Sequence, residues 1–221
     1  MSAHLQRAIS SLMRELIALS ARVEESMRRA VQSLQERDID MARLVEKEDE
    51  IIDAQEIDIE EECLKIFALH QPVAIDLRYL VAALKINNDL ERIGDLAVNI
   101  SQHVAYILAN PTVINPIDFQ EICAKVQAMV KQSLDALVNL DVEAARQVLA
   151  ADDDVDRLNW HLHDQVVEEI KKNPDKADVW VEYIHIVRSL ERIADHATNI
   201  AEDIVYLIKG EIVRHSKNPT V

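Results

Sequence analysis

The decapeptide Glu91 to Ile100 reads Glu-Arg-Ile-Gly-Asp-Leu-Ala-Val-Asn-Ile, and it returns at Glu191 to Ile200 as Glu-Arg-Ile-Ala-Asp-His-Ala-Thr-Asn-Ile. With Leu90 and Leu190 included, eleven positions are compared at an offset of 100 residues, and only 94/194, 96/196 and 98/198 differ. Self-similarity at a fixed offset is the mark of a duplicated structural unit. The 221 residues therefore divide into two like halves, 1–112 and 113–221. Within each copy Glu, Asp and Asn stand four apart, a little more than one helical turn. The duplication preserves a polar stripe along a helix as well as a core pattern.

Long stretches carry helical periodicity with few breakers. Prolines occur at 72, 111, 116, 174 and 219 and mark the turns. The pattern predicts helices at roughly 3–35, 38–70, 73–109, 117–139, 141–173 and 176–208. Six helices form two triplets, so the fold class is all-α, two tandem three-helix bundles. Pro111 and Pro116 bracket the junction, and Gly210 is placed to cap the last helix in a left-handed conformation. On that helix Leu190, Ala194, Ala197, Ala201, Ile204 and Ile208 point in one direction and form a packing seam. Gly94 and Ala194 lie near this seam, where a small side chain lets a neighbouring helix come close.

Composition removes several function classes. Lys and Arg number 24 against 40 Asp and Glu, a formal charge of −16 that repels a phosphate backbone and argues against a direct nucleic-acid partner. Two glycines, Gly94 and Gly210, cannot build a glycine-rich nucleotide loop. Cys63 and Cys123 are too few for a disulfide framework or a thiolate zinc site and read as buried small hydrophobes. The first residues are interrupted by Arg7, Arg14 and Glu15 and resemble no secretory signal. No apolar run reaches the roughly 18 residues that span a bilayer. The expectation is a cytoplasmic protein that meets membranes only through partners.

The acidic stripes point to cations. Glu91 with Asp95, and Glu191 with Asp195, place like charges four apart on one helix face, which costs a few tenths of a kcal/mol per pair unless something compensates. Asn99 and Asn199 extend the stripes. The preceding helices carry Asp49, Asp53, Glu56 and Glu60 in the first half, and Asp152, Asp156, Asn159 and His163 at the same spacing in the second. If consecutive helices pack antiparallel, each pair of stripes brings four carboxylates together, facing outward from its bundle. Oxygen-rich pockets of this kind suit Mg²⁺, Mn²⁺, Ca²⁺ or iron. The bland alternative is a solvated acidic face with Arg92, Arg188 and Arg192 in surface pairs.

Other candidates are weaker. Glu182 and His185 form one Glu-x-x-His, whereas a ferritin-like di-iron centre needs two, on separate helices. His161 and His163 read as partly exposed helix residues, and Trp160 and Trp180 as packing or interface residues. No Ser-His-Asp or Cys-His pairing follows from spacing, so binding rather than catalysis is expected.

The paired Glu-Arg-Ile-Gly/Ala-Asp-x-Ala-x-Asn-Ile blocks resemble the PhoU family of phosphate-uptake regulators. So do Ala68 to Arg78 (Ala-Leu-His-Gln-Pro-Val-Ala-Ile-Asp-Leu-Arg) and the tail from Ile204 to His215. The resemblance implies two similar three-helix bundles and a non-enzymatic adaptor. It implies negative regulation of phosphate uptake and of the starvation response, by coupling a phosphate ABC transporter, through its ATPase subunit, to a sensor histidine kinase. A homodimer is left open. It also implies metal ions, divalent or trivalent, in some relatives multinuclear iron or zinc clusters, held by Asp49 with Asp53, Glu91 with Asp95, Asp152 with Asp156, and Glu191 with Asp195. A paralogue serving another transporter would share these motifs, and a metal-free helical scaffold is the plainer alternative. The span from Asp53 to Glu91 is 38 residues and that from Asp156 to Glu191 is 35, which predicts that the two sites differ.

Overall fold

The computed structural model describes residues 3–111 and 117–213. Pro116, the 112/113 boundary between the halves, Arg214 and His215 lie outside them. Six long helices follow one another: α1 (Ala3–Glu36), α2 (Ile39–His70), α3 (Ile75–Ala109), α4 (Gln120–Asn139), α5 (Val142–Lys172) and α6 (Ala177–Lys209), with a 3₁₀ turn at Pro174–Lys176 before α6. No strand occurs among the described residues.

Local chemistry sets the helix ends. Arg37 and Leu140 adopt left-handed backbone, φ 57° and 51°, which turns the chain out of α1 and α4. The next residues, Asp38 and Asp141, open α2 and α5 in near-identical extended conformations. The Asp38 carboxylate accepts from the N–H groups of Asp40 and Met41, and Asp141 accepts from those of Glu143 and Ala144. Each satisfies two of the orphan donors at a helix start. Gly210, with φ 77°, donates its N–H to the Tyr206 carbonyl at 2.9 Å and ends α6 as its position predicts.

These two caps are separated by 103 residues (141 − 38 = 103), as are Asp49 and Asp152, whereas the decapeptides are separated by 100. The three extra residues of the first half sit at its hairpin tip. Relative to α5 and α6, α2 runs one residue further and α3 begins two residues earlier. The register beside the acidic stripes is therefore unchanged, and the longer span from Asp53 to Glu91 lengthens the far end of the hairpin.

Packing follows the duplication. Helices α1, α2 and α3 touch one another, α4 and α5 both pack on α6, and the two groups meet through α3 against α6 and α1 against α4. Helices α2 and α5 lie on the outside, each touching only its own bundle. One hydrophobic core runs through both bundles, from Leu16 and Val23 through Leu90 to Leu190 and Ile204. Both cysteines are buried within it, as expected. Trp180 is buried against Tyr183, while Trp160 stands 70% exposed on α5. No helix of the described residues is long and apolar enough to cross a membrane.

Candidate metal centre

Helices α2 and α3 approach closely at Gly94. A Cβ there would lie 3.3 Å from Ile52 Cγ2 and 3.6 Å from Asp49 Oδ1. The second bundle has Ala194 in place of Gly94 and Val155 in place of Ile52, so one carbon has moved from the α2-type helix to the α3-type helix. Beside this contact Asp49 and Asp53 of α2 meet Asp95 of α3, with one carboxylate oxygen of each within 4.8 Å of the other two.

Like charges at such spacing repel by on the order of 1–3 kcal/mol per pair at the effective dielectric of a protein surface. Asp49 shows the consequence. Burial first, then the Asp53 and Asp95 charges, push its carboxyl up from 3.8 to about 6. Its Oδ1 is buried with no hydrogen-bond partner, a state that costs about 1–3 kcal/mol when nothing answers the acceptor. Arg92 bridges Asp95 at 3.1 Å and Glu91 at 3.3 Å from the exposed rim, a surface arrangement that contributes little. Three convergent carboxylates with an orphaned oxygen fit a hard cation bound through oxygen. Asp53 is exposed, so the site opens outward as predicted.

Glu91 sits one turn before Asp95, outside the converging trio. Burial first, then Asp95, raises its carboxyl above the ordinary value. One turn earlier again is Asn87, 1% exposed. Its Nδ2 donates to the Glu56 backbone carbonyl at 2.9 Å and to Glu56 Oε1 at 3.1 Å, while its Oδ1 is buried without a partner. Asn87 continues the spacing of Glu91, Asp95 and Asn99 backwards by four, so the period itself points to it. Asn99 is exposed one turn beyond Asp95.

The second groove is a looser copy. Among the described residues no second trio of ligands converges as tightly as the first. Asp152, Asp156, Glu191 and Asp195 still feel one another. Burial first, then Asp156 and Asp195, push Asp152 up to about 6. Burial first, then Glu191 and Asp156, bring Asp195 to about 6. Glu191 is raised by burial and then by Asp156. The predicted fourfold convergence is thus met by three carboxylates in the first groove and by electrostatic proximity in the second.

Asn199 needs a correction. Its Nδ2 donates to Asp89 Oδ1 at 3.2 Å across the α3–α6 seam, and His196 Nδ1 reaches the same oxygen at 2.7 Å. A residue whose amide is committed between the bundles is not part of a cation stripe. The seam also holds Lys85 with Asp203 at 3.0 Å and His103 with Glu182 at 2.5 Å. The His103 ring stacks on His185 with centroids 4.9 Å apart. The lone Glu-x-x-His therefore faces across the seam to α3. These pairings join helices more than 75 residues apart, and no local spacing announces them.

A pH dependence follows for the metal-free protein. Asp49, Asp152 and Asp195 hold protons in the folded state up to about pH 6, while in the unfolded chain they release them near 3.8. The folded state thus binds more protons across this window, so stability falls as pH rises from about 4 to about 6. Melting curves in chelator should show the decline, and replacing all three by Asn should flatten it. An unchanged slope in the triple variant contradicts the assignment.

A model of the PhoU domain matches residues 16–104 and again residues 119–204, one match per bundle. The chain is 31% identical, over 94% of its length and 90% of the relative's, to a Thermotoga maritima protein named phosphate-specific transport system accessory protein PhoU homolog 1. It is 35% identical to the Pseudomonas aeruginosa protein named as a PhoU homolog, covering 90% of this chain and 83% of that one. The crystal structure of PhoU from Pseudomonas aeruginosa superposes with a TM-score of 0.89 at 33% identity, covering 93% of this chain and 99% of the other. The phosphate transport system regulatory protein PhoU from Streptococcus pneumoniae gives 0.85 at 26% identity, covering 95% and 99%. Two domain matches, one in each bundle, and relatives aligned over nine-tenths of its length place the chain in the PhoU family.

Proposed function

We propose that this chain is a cytoplasmic, non-enzymatic negative regulator of phosphate acquisition. In this reading it couples a phosphate ABC transporter, through its ATPase subunit, to a sensor histidine kinase, and restrains uptake and the starvation response when phosphate is plentiful. The observation that carries the reading is end-to-end similarity to proteins named as phosphate-specific transport accessory proteins. The shape supports it, since long packed helices with α2 and α5 on the outside offer extended surfaces to partners. Asp49, Asp53 and Asp95 hold one cation or a small cluster in this proposal, assisted by Glu91. Asp152, Asp156, Glu191 and Asp195 hold another, more weakly, because their oxygens begin further from a common centre.

The deciding experiment is genetic. Deleting the gene in a strain with no second copy should leave phosphate-starvation genes switched on in phosphate-rich medium. A transport-defective background then shows whether the effect passes through uptake or through the kinase. Normal repression in the deletion strain counts against this role and favours a paralogue serving another transporter.

A further inference from the structure

Helix α2 is apolar on two sides. Ile52, Ile59, Cys63 and Ile66 face the core. On the opposite side, at the three- and four-residue spacing of a packing seam, Ala54, Ile57, Leu64 and Ala68 are all exposed. Ile57 and Leu64 are each more than half accessible. The track continues round the hairpin tip, where Leu69 is 77% and Val73 72% exposed. It then reaches Ile75, which lines a cavity of about 430 Å³ together with Met13, Leu137 and Leu140. Contiguous exposed apolar surface of this kind marks a contact site.

The first bundle alone carries the track. At the register of 103 the positions of Ala54, Ile57, Leu64 and Ala68 are occupied in α5 by Arg157, Trp160, Val167 and Lys171, and the second tip holds Lys172, Asp175 and Lys176. The three residues added to the first hairpin lengthen this apolar tip. Charge identifies the occupant. From Glu46 to Glu62 ten acidic residues stand against one basic residue, Lys47. A second copy of this chain, itself at −16, would bring the same repelling charge, and an anionic bilayer would be repelled likewise.

We propose that the outer face of α2 and the α2–α3 tip form a docking surface for a basic amphipathic helix of a partner protein. Apolar residues of that helix at i, i+3, i+4 and i+7 lie along Ile57, Leu64 and Val73, one of them entering the cavity beside Ile75, while flanking Lys and Arg side chains meet the acids of α2. The proposal rests on the reading of the chain as an adaptor but not on which process it regulates.

The test uses the full chain and, as probe, a fluorescent synthetic helix of about five turns with Leu on one face and Lys and Arg on the other. Ile57→Gln, Leu64→Gln and Val73→Gln together leave the charge unchanged and lie on the surface, so the circular dichroism should match that of the parent. The triple variant should bind the probe at least about tenfold more weakly, and Trp160→Gln within about twofold of the parent. Equal binding by the triple variant would show attraction by charge alone and overturn the proposal. A parent dimer that the triple variant breaks in sedimentation would assign the track to a second copy and overturn it equally. If the track governs probe binding but deletion leaves phosphate repression intact, the surface stands and the regulatory reading falls. If repression is lost while the triple variant binds normally, the reverse holds.

Discussion

Protein carrying Asp49→Asn and Asp95→Asn is expected to melt at a higher temperature than the parent in chelator and to gain little from added metal. The two halves of this expectation have one cause. In the metal-free parent, three carboxylates lie with oxygens within 4.8 Å of one another, and one Asp49 oxygen is buried without a partner. Removing two charges removes the repulsion, so the variant starts more stable. A cation acts in the opposite direction, since it binds the folded trio and not the unfolded chain. It contributes about 2.7 kcal/mol when present at about 100 times its dissociation constant. For a protein of this size that corresponds to roughly 5–10 °C in melting temperature. The variant should keep only the part due to the second groove, and equilibrium dialysis should show the tighter class of bound metal gone. Asp152→Asn with Asp195→Asn should remove the weaker class. Full retention of metal by the first variant would falsify the placement of the site while leaving the fold intact.

Dividing the chain at 112/113 should abolish native packing in both pieces. Similar halves suggest separable domains, but the core is continuous and α3 lies along α6. Cutting there exposes the apolar faces of both helices. It also leaves Asp203, 2% exposed in the intact protein, without its 3.0 Å contact to Lys85. A buried carboxylate deprived of its cation costs about 3–5 kcal/mol, and the lost apolar burial adds to this. Each piece should retain much of its helical circular dichroism, lose its near-ultraviolet signal and bind hydrophobic dye. The intact chain should unfold in one calorimetric transition. Cooperative melting of the isolated first half near the parent temperature would show that the seam is an ordinary domain contact.

Much of this molecule is legible before any coordinates. The repeat beginning at Glu91 and Glu191 announces two like bundles, the prolines and Gly210 mark turns, and the spacing of Asp49 with Asp53 and of Glu91 with Asp95 names two sides of a groove. All of these depend on interactions within a few turns of one helix, where sequence spacing and spatial direction are tied together by a fixed pitch. Which stripe meets which, and how closely, depends on packing between helices. Gly94 against Ile52 brings the first trio together, whereas Ala194 and Val155 stand at the corresponding positions of the looser second groove. Asn199 shows the same limit from the other side. Its spacing matches that of Asn99, yet the duplication that makes the halves alike also packs α3 against α6, and Asp89 on the facing helix claims the Asn199 amide. Sequence period assigns a residue to a face, and tertiary contact alone assigns that face a neighbour, because side-chain partners across a seam are chosen by proximity over distances of a hundred residues.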